Sequence, residues 1–297
     1  MKKIILSLII VFFAAISQRG IGQEVKDSTV IYRLTTVDGN EFFGKILSED
    51  SVIISLSTSN LGEISFKKLD IKSLEAISAT QVKNGKIWYP NLQSTRYFFA
   101  PNAYGLKRGE VYYQNVWVLF NQVSVGVGNN FSIGVGLVPL FLIAGAPTPV
   151  WLIPKVSIPV VKDKFAIGAG GMFGTVLGTE KSGFGIVYGI TTFGSRDANV
   201  SLGVGYGYLS GDWAKKPMIN ISSFIRVSPR TYIITENYVI SGESTTVLIS
   251  LGARTLVKRI GIDYGLFMPF FPDQDTYYAI PWFGITVPMH KAKVDNR

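Results

Sequence analysis

Residues 198–208 read ANVSLGVGYGY, and the alternation in this stretch decides the fold. Val200, Leu202, Val204 and Tyr206 fall on one side of an extended chain, and Asn199, Ser201, Gly203 and Gly205 fall on the other. Successive side chains of a strand point to opposite faces, so this segment has one apolar face and one small or polar face. Phe131-Ser132-Ile133-Gly134-Val135-Gly136-Leu137 repeats the pattern, and Lys164 to Phe173 and Lys258 to Leu266 behave likewise. A soluble β-sandwich also alternates, but its polar face meets water and usually carries more charge. Here the non-apolar face is rich in glycine, which relieves crowding inside a narrow barrel. Segments of about ten residues, apolar against small or polar, are the mark of a transmembrane β-strand.

The connections make an independent argument. Tight turns are expected at 128–130, 162–163, 194–197, 228–230 and 257–258. Longer connections are expected at 139–149, 174–183, 209–217, 241–244 and 267–276. The two kinds alternate along the chain, as short periplasmic turns and longer outer loops do in membrane barrels. Counting between them gives eleven strands from the one that ends at Gly128. A further strand from Gly109 to about Val118 brings the total to twelve, an even number as bacterial barrels require. The first hairpin, between Trp117 and Gln122, has no clear turn signal beyond Asn121.

Composition excludes much chemistry. Charged residues are 16% of the chain, against about a quarter in ordinary soluble proteins. Yet no apolar run after the N-terminus reaches the roughly 20 residues of a spanning helix. There is no cysteine and a single histidine, His290, so disulfides, thiolate sites and multi-histidine metal sites are out, and a histidine-based triad has little to work with. No G-x-S-x-G elbow occurs, and Gly203-Val204-Gly205-Tyr206-Gly207 lacks the spacing of a nucleotide loop. No catalytic residue, metal ligand or cofactor is therefore assigned.

The N-terminal third is organised differently. Met1-Lys2-Lys3, the apolar run Ile4 to Ile16 and Gly20-Ile21-Gly22 read as a signal peptide, residues 1–22, cut before Gln23. Residues 23–78 read as a small β module: five short strands, an Asp38-Gly39 hairpin and a bend at Gly44. Residues 79–108 read as a basic linker holding Lys83, Lys86, Arg96, Lys107 and Arg108 and no acid. Its aromatics, Trp88, Tyr89, Tyr97, Phe98, Phe99 and Tyr104, call for a packing surface. The barrel then occupies 109–289, and 290–297 is a polar tail.

On the inward phase of the second half a few charges recur: Arg226, Glu236, Arg254, Arg259 and Asp263. A charge facing lipid at mid-depth costs about 2–4 kcal/mol, so these belong in the lumen. They are read as a paired network that plugs or stiffens a narrow lumen, with a charge filter as the second reading. Trp151, Tyr206, Tyr208, Trp213, Tyr277, Tyr278 and Trp282 are expected as an aromatic girdle at one interface, and Tyr112, Tyr113 and Tyr232 at the other.

The segments LKRGEVYYQN (106–115), VGNNFSIGVG (127–136) and GDWAKKPMINISSFIRVS (211–228) resemble outer-membrane β-barrel proteins of the Bacteroidetes type. The run TTVDGNEFFGKILSEDSVIISL (35–56) resembles the first half of an Sm-type motif, so the module is SH3/Sm-like. Sm-like proteins bind RNA, but residues 28–78 carry five basic and seven acidic side chains, and RNA binding needs phosphate-neutralising charge. No nucleic-acid partner is expected.

The chain is thus expected to be an all-β protein of the cell outer membrane: a 12-stranded antiparallel transmembrane β-barrel behind a periplasmic module. Its first functional reading is a structural or narrow-pore role, and it is taken as no enzyme. The alternative is a binding or assembly protein working through its module and outer loops; a lumenal enzyme comes third. Outer-membrane lipid and the barrel-assembly machinery are the expected partners, with a periplasmic protein at residues 28–78 as a further one.

Overall fold

The structure is a computed structural model that describes residues 30–78, 82–83, 86–89, 91–180, 182–242, 244–257, 259–272 and 278–289. The segment read as a signal peptide and the tail 290–297 lie outside the described residues. The chain divides into two compact units, with the division between Pro90 and Asn91.

The first unit is a five-stranded antiparallel sheet. Its strands are β1 (Val30–Thr36), β2 (Glu41–Glu49), β3 (Ile53–Thr58), β4 (Gly62–Lys67) and β5 (Ile71–Ser78), in the order β4-β3-β2-β1-β5. Gly39 has φ +85°, as the Asp38-Gly39 turn demands. At Gly44 a Cβ would come within 2.3 Å of the Ser57 carbonyl oxygen, so the bend needs glycine. Leu34, Ile54 and Leu56 are buried, and Phe42, Ile46 and Phe66 pack on them. A two-residue ladder, β6 (Val82–Lys83) with β7 (Lys86–Ile87), follows.

The second unit is the barrel. Its strands are β8 (Val111–Val116), β9 (Phe120–Gly126), β10 (Phe131–Leu137), β11 (Thr148–Val161), β12 (Phe165–Leu177), β13 (Phe184–Gly194), β14 (Ala198–Leu209), β16 (Met218–Arg226), β17 (Thr231–Ser241), β18 (Thr245–Val257), β19 (Ile260–Phe270) and β20 (Ile280–Pro288). The two-residue β15 (Asp212–Trp213) only extends the β14 hairpin. Each strand pairs antiparallel with the next, and β20 pairs with β8, so twelve strands close the sheet. Tight turns gather at one end and the longer connections at the other, as the alternation in sequence implies.

The pleat sorts the side chains. Leu202, Val204 and Tyr206 are exposed on the outside, while Asn199, Ser201, Gly203 and Gly205 face in. Val135, Leu152, Ile167 and Phe173 extend the same outer band. A continuous apolar belt around a closed sheet has no place in water and suits lipid. The fold is that of an outer-membrane β-barrel. No helix among the described residues is long and apolar enough to cross a membrane.

Two expectations are corrected. Four of the proposed girdle aromatics are buried on the inner face: Tyr112, Trp151, Tyr232 and Trp282. They fall on the inward phase of their strands, and Trp151 donates its indole N–H to Gln122 at 3.1 Å. The second concerns 79–108. Residues 91–108 are part of the barrel unit and not a connection between units. They run inside the barrel, where their aromatic and polar groups find complementary groups on the inner wall.

Candidate functional site

The inserted segment doubles back on itself. It enters at the tight-turn end, where Asn91 donates to the Arg196 carbonyl at 3.0 Å. It turns at Phe98-Phe99, with Arg96 bridged to Pro101 across the hairpin. It then returns to the same end, where the Tyr104 hydroxyl donates to the Gly194 carbonyl. Gly109, at φ +82°, swings the chain into β8.

Glycines on the inner wall make the room. A Cβ at Gly261 would collide with the Gln93 amide oxygen at 1.9 Å. One at Gly126 would sit 2.0 Å from the Lys107 carbonyl oxygen, and one at Gly265 would sit 3.2 Å from the Phe98 ring. Phe98 fills the space so left, edge-on to Phe267 at 5.5 Å and tilted against Trp282 at 5.7 Å. Glycine on the inner face is therefore the imprint of a chain segment packed against it, not of curvature alone.

The charges bind this segment to the wall. Asp263 accepts from Arg254 Nε at 2.5 Å and Nη2 at 3.0 Å, and from Arg96 Nη1 at 2.9 Å. Arg254 also donates to the Gln93 and Tyr97 carbonyls, at 3.0 and 2.6 Å. Arg96 donates to the carbonyls of Tyr97 and Phe98 and to the Thr286 hydroxyl. All three ionised groups are buried, and their charge-assisted bonds are the strong kind. Glu236, also buried, accepts from the backbone N–H groups of Phe99 at 2.9 Å and Ala100 at 3.0 Å, and from the Tyr238 hydroxyl at 2.7 Å. It grips the hairpin tip as a carboxylate grips a nest of amides.

Of the five charges singled out from sequence, Arg254 and Asp263 form an ion pair with each other. Glu236 stands apart and holds backbone. Arg226 is buried at the tight-turn end, 3.2 Å from Asp197, which also accepts from the Tyr232 hydroxyl at 2.7 Å. Arg259 keeps the residue parity of Gly261 and Asp263 but lies in the turn before β19, outside the paired strands. The single five-member network is thus replaced by three clusters, because the inserted segment comes between the wall charges and supplies their partners.

Sequence reasoning missed Arg96 and Lys155. Lys155, on β11, points inward and donates to the Tyr104 carbonyl at 2.6 Å and the Thr95 carbonyl at 3.3 Å. Its place was legible: it shares the inward phase with Trp151 and Ser157. Arg96 carried no such signal, since its segment has no period. Beside the hairpin lies a cavity of about 360 Å³. The segment contributes Phe99 and Leu106 to it, and the wall contributes residues of β8 to β14, β16 and β17.

Solved outer-membrane barrels resemble this chain. A structure described as KdgM porin aligns with a TM-score of 0.45 at 10% identity, over 61% of this chain and 99% of its own. OmpT of Vibrio cholerae, expressed in the outer membrane, aligns with a TM-score of 0.33 at 12% identity, over 86% of this chain and 93% of its own. The in-vitro folded trimer form of OmpT from Vibrio cholerae gives 0.31 at 13% identity. At likenesses this low the names say nothing of what this barrel binds. No family model matches the chain, and no curated protein matches it.

Proposed function

We propose that the chain is an outer-membrane protein whose narrow barrel is closed by its own residues 91–107, so that it forms no standing pore. The observation that carries this reading is where the lumenal charges spend their hydrogen bonds. Arg254, Glu236 and Lys155 all bond to backbone of the inserted segment, and Asp263 bonds to Arg96 within it. A charge filter needs ionised groups open to water and ions; these are buried, and they bond to the segment. The tight turns are taken as periplasmic, in keeping with their shortness, which puts the first unit in the periplasm. Its strand order, with β5 returning beside β1, suits the SH3/Sm-like reading and a docking role there.

Planar-bilayer recording tests the closed lumen. The wild-type barrel should show no steady conductance. A variant with residues 94–103 replaced by a glycine-serine stretch of equal length should show stepwise channels. A steady wild-type channel with the segment in place would overturn the reading and restore the narrow pore.

A further inference from the structure

The cavity beside the hairpin has a charge that no anion among the described residues answers. Lys155 borders it and is only 7% exposed. Its two hydrogen-bond acceptors are neutral carbonyls, and no ion pair among the described residues includes it. An ammonium has three donors, so one remains after Thr95 and Tyr104 are served. A buried cation without an anion is costly, and natural proteins pair such groups. A second polar group on the cavity wall is also unserved: the Tyr188 hydroxyl is buried with no hydrogen-bond partner.

The wall also carries Arg96, Gln114, Gln122, Ser124 and Asn220, but much of it is apolar. Ile153, Met172, Ile186, Ile190 and Met218 line the cavity, with Phe99 and Leu106 from the hairpin. The volume, about 360 Å³, lies in the range of small-molecule sites, which join apolar walls to a few placed polar groups. Methionines suit a flexible apolar guest, since their side chains adapt to its shape. Gly203 and Gly205 keep that side of the cavity open.

We propose that this cavity binds a small alkyl carboxylate, with its apolar body against the isoleucines and methionines and its carboxylate on the Lys155 ammonium. The Tyr188 hydroxyl is the second donor for the same end of the guest. The carboxylate supplies the missing counter-charge and the alkyl body fills apolar space, so neither a plain alcohol nor a small inorganic anion satisfies both halves.

Decanoate is the probe, with 1-decanol as its uncharged match. The full-length mature protein in phosphatidylcholine nanodiscs is titrated calorimetrically, with empty discs as the blank. Decanoate should bind saturably and at least about tenfold more tightly than decanol, a charge-assisted hydrogen bond's worth of preference. Lys155→Met should abolish that preference. Because Lys155 also holds the hairpin, a second variant leaves the hairpin alone. A Cβ at Gly203 meets only ordinary contacts, 3.6 Å from Asn220 and 3.7 Å from Ile190. Gly203→Leu should therefore fold, migrate as a closed barrel on unboiled gels, and lose decanoate binding at least about tenfold by filling the cavity. Equal affinity for decanoate and decanol, unchanged affinity in Gly203→Leu, or no saturable binding above empty discs would each overturn the proposal. Conductance recorded on the same samples keeps the two ideas apart. A silent barrel that fails to bind sinks only this site; a conducting one that binds sinks only the closed lumen.

Discussion

Asp263→Ala is the sharpest single perturbation of the lumen. It removes the carboxylate shared by Arg254 and Arg96 and, with it, three hydrogen bonds of 2.5, 2.9 and 3.0 Å. The arginines keep their bonds to carbonyls, but two buried positive charges then face each other with no anion between them. Breaking a buried ion pair by deleting one partner costs about 3–5 kcal/mol. Arg254 is fixed in a strand paired on both sides. Arg96 sits on a hairpin with far fewer backbone bonds, so strain of this size is relieved by letting the hairpin go. At about 1.4 kcal/mol per tenfold, the closed state loses roughly a hundredfold or more in population. Two assays read this: limited proteolysis within residues 91–107, and single-channel recording. Asp263→Ala should expose the segment to cleavage and produce intermittent openings, and adding Arg96→Ala should restore part of the protection by removing one of the two charges. If Asp263→Ala is as protected and as silent as wild type, the ion triad does not hold the segment.

Other outcomes follow from the same geometry. Glu236→Ala should strand the amides of Phe99 and Ala100, at about 1–3 kcal/mol for each buried donor left unpaired, and lower the temperature at which the barrel loses its fast unboiled migration; an unchanged transition would mean water replaces the carboxylate freely. Gly261→Val should displace Gln93 and loosen the segment's entry while the barrel still forms, read as faster hydrogen exchange at 91–95 and refuted by wild-type protection there. Cysteine at Lys215 should react with an impermeant reagent on intact cells, and cysteines at Asn129 and Arg230 should not; the reverse pattern inverts the assigned orientation. In the first unit, the backbone N–H groups of Ile53 and Val52 hold the Asp50 carboxyl below the usual aspartate range. A lowered folded value means this turn's stabilisation is complete at neutral pH and is lost as pH falls through that value. The Val52 and Ile53 amide resonances should titrate together with such a depressed midpoint; a midpoint at the ordinary value would contradict the two bonds.

The barrel was legible because its rule is local. Wherever Val-x-Leu-x-Val meets Ser-x-Gly-x-Gly, the period of two assigns both faces, and the spacing of turns sets the count at twelve. The first hairpin was not legible, and its structure says why. Trp117 and Val118 adopt φ +51° and +64°, a conformation usually left to glycine or asparagine. The asparagines stand outside the turn instead. Asn115 binds Val118 through both its amide groups and Asn121 binds the Leu119 carbonyl, while the Trp117 ring rests on Trp282 at 5.0 Å. The inserted hairpin was hidden for a different reason. Its meaning depends on a wall made of residues a hundred or more positions away, such as Asn199 and Ser201, which bond the Tyr97 hydroxyl. Four aromatics, Tyr97, Phe98, Phe99 and Tyr104, in an otherwise polar stretch announced that it must pack; only the closed barrel tells where.

The closing seam of the barrel is its shortest ladder, five residue pairs between β20 and β8. The hairpin reaches one side of that seam and the strand behind it: Gln93 and Arg96 bind Thr286 on β20, and Arg96 binds Asp263 on β19. Among the barrel strands these two are made last, and the hairpin is made before any of them. A segment that doubles back inside a closed cylinder has no easy way in afterwards. If it lies in place while the sheet is still a curved, open ribbon, it acts as a mandrel about which the ribbon is rolled and as a latch that catches the final hairpin as it arrives. A chain carrying a damaged hairpin would then fail first in the time it takes to become a cylinder, before any weakness is seen in the finished one.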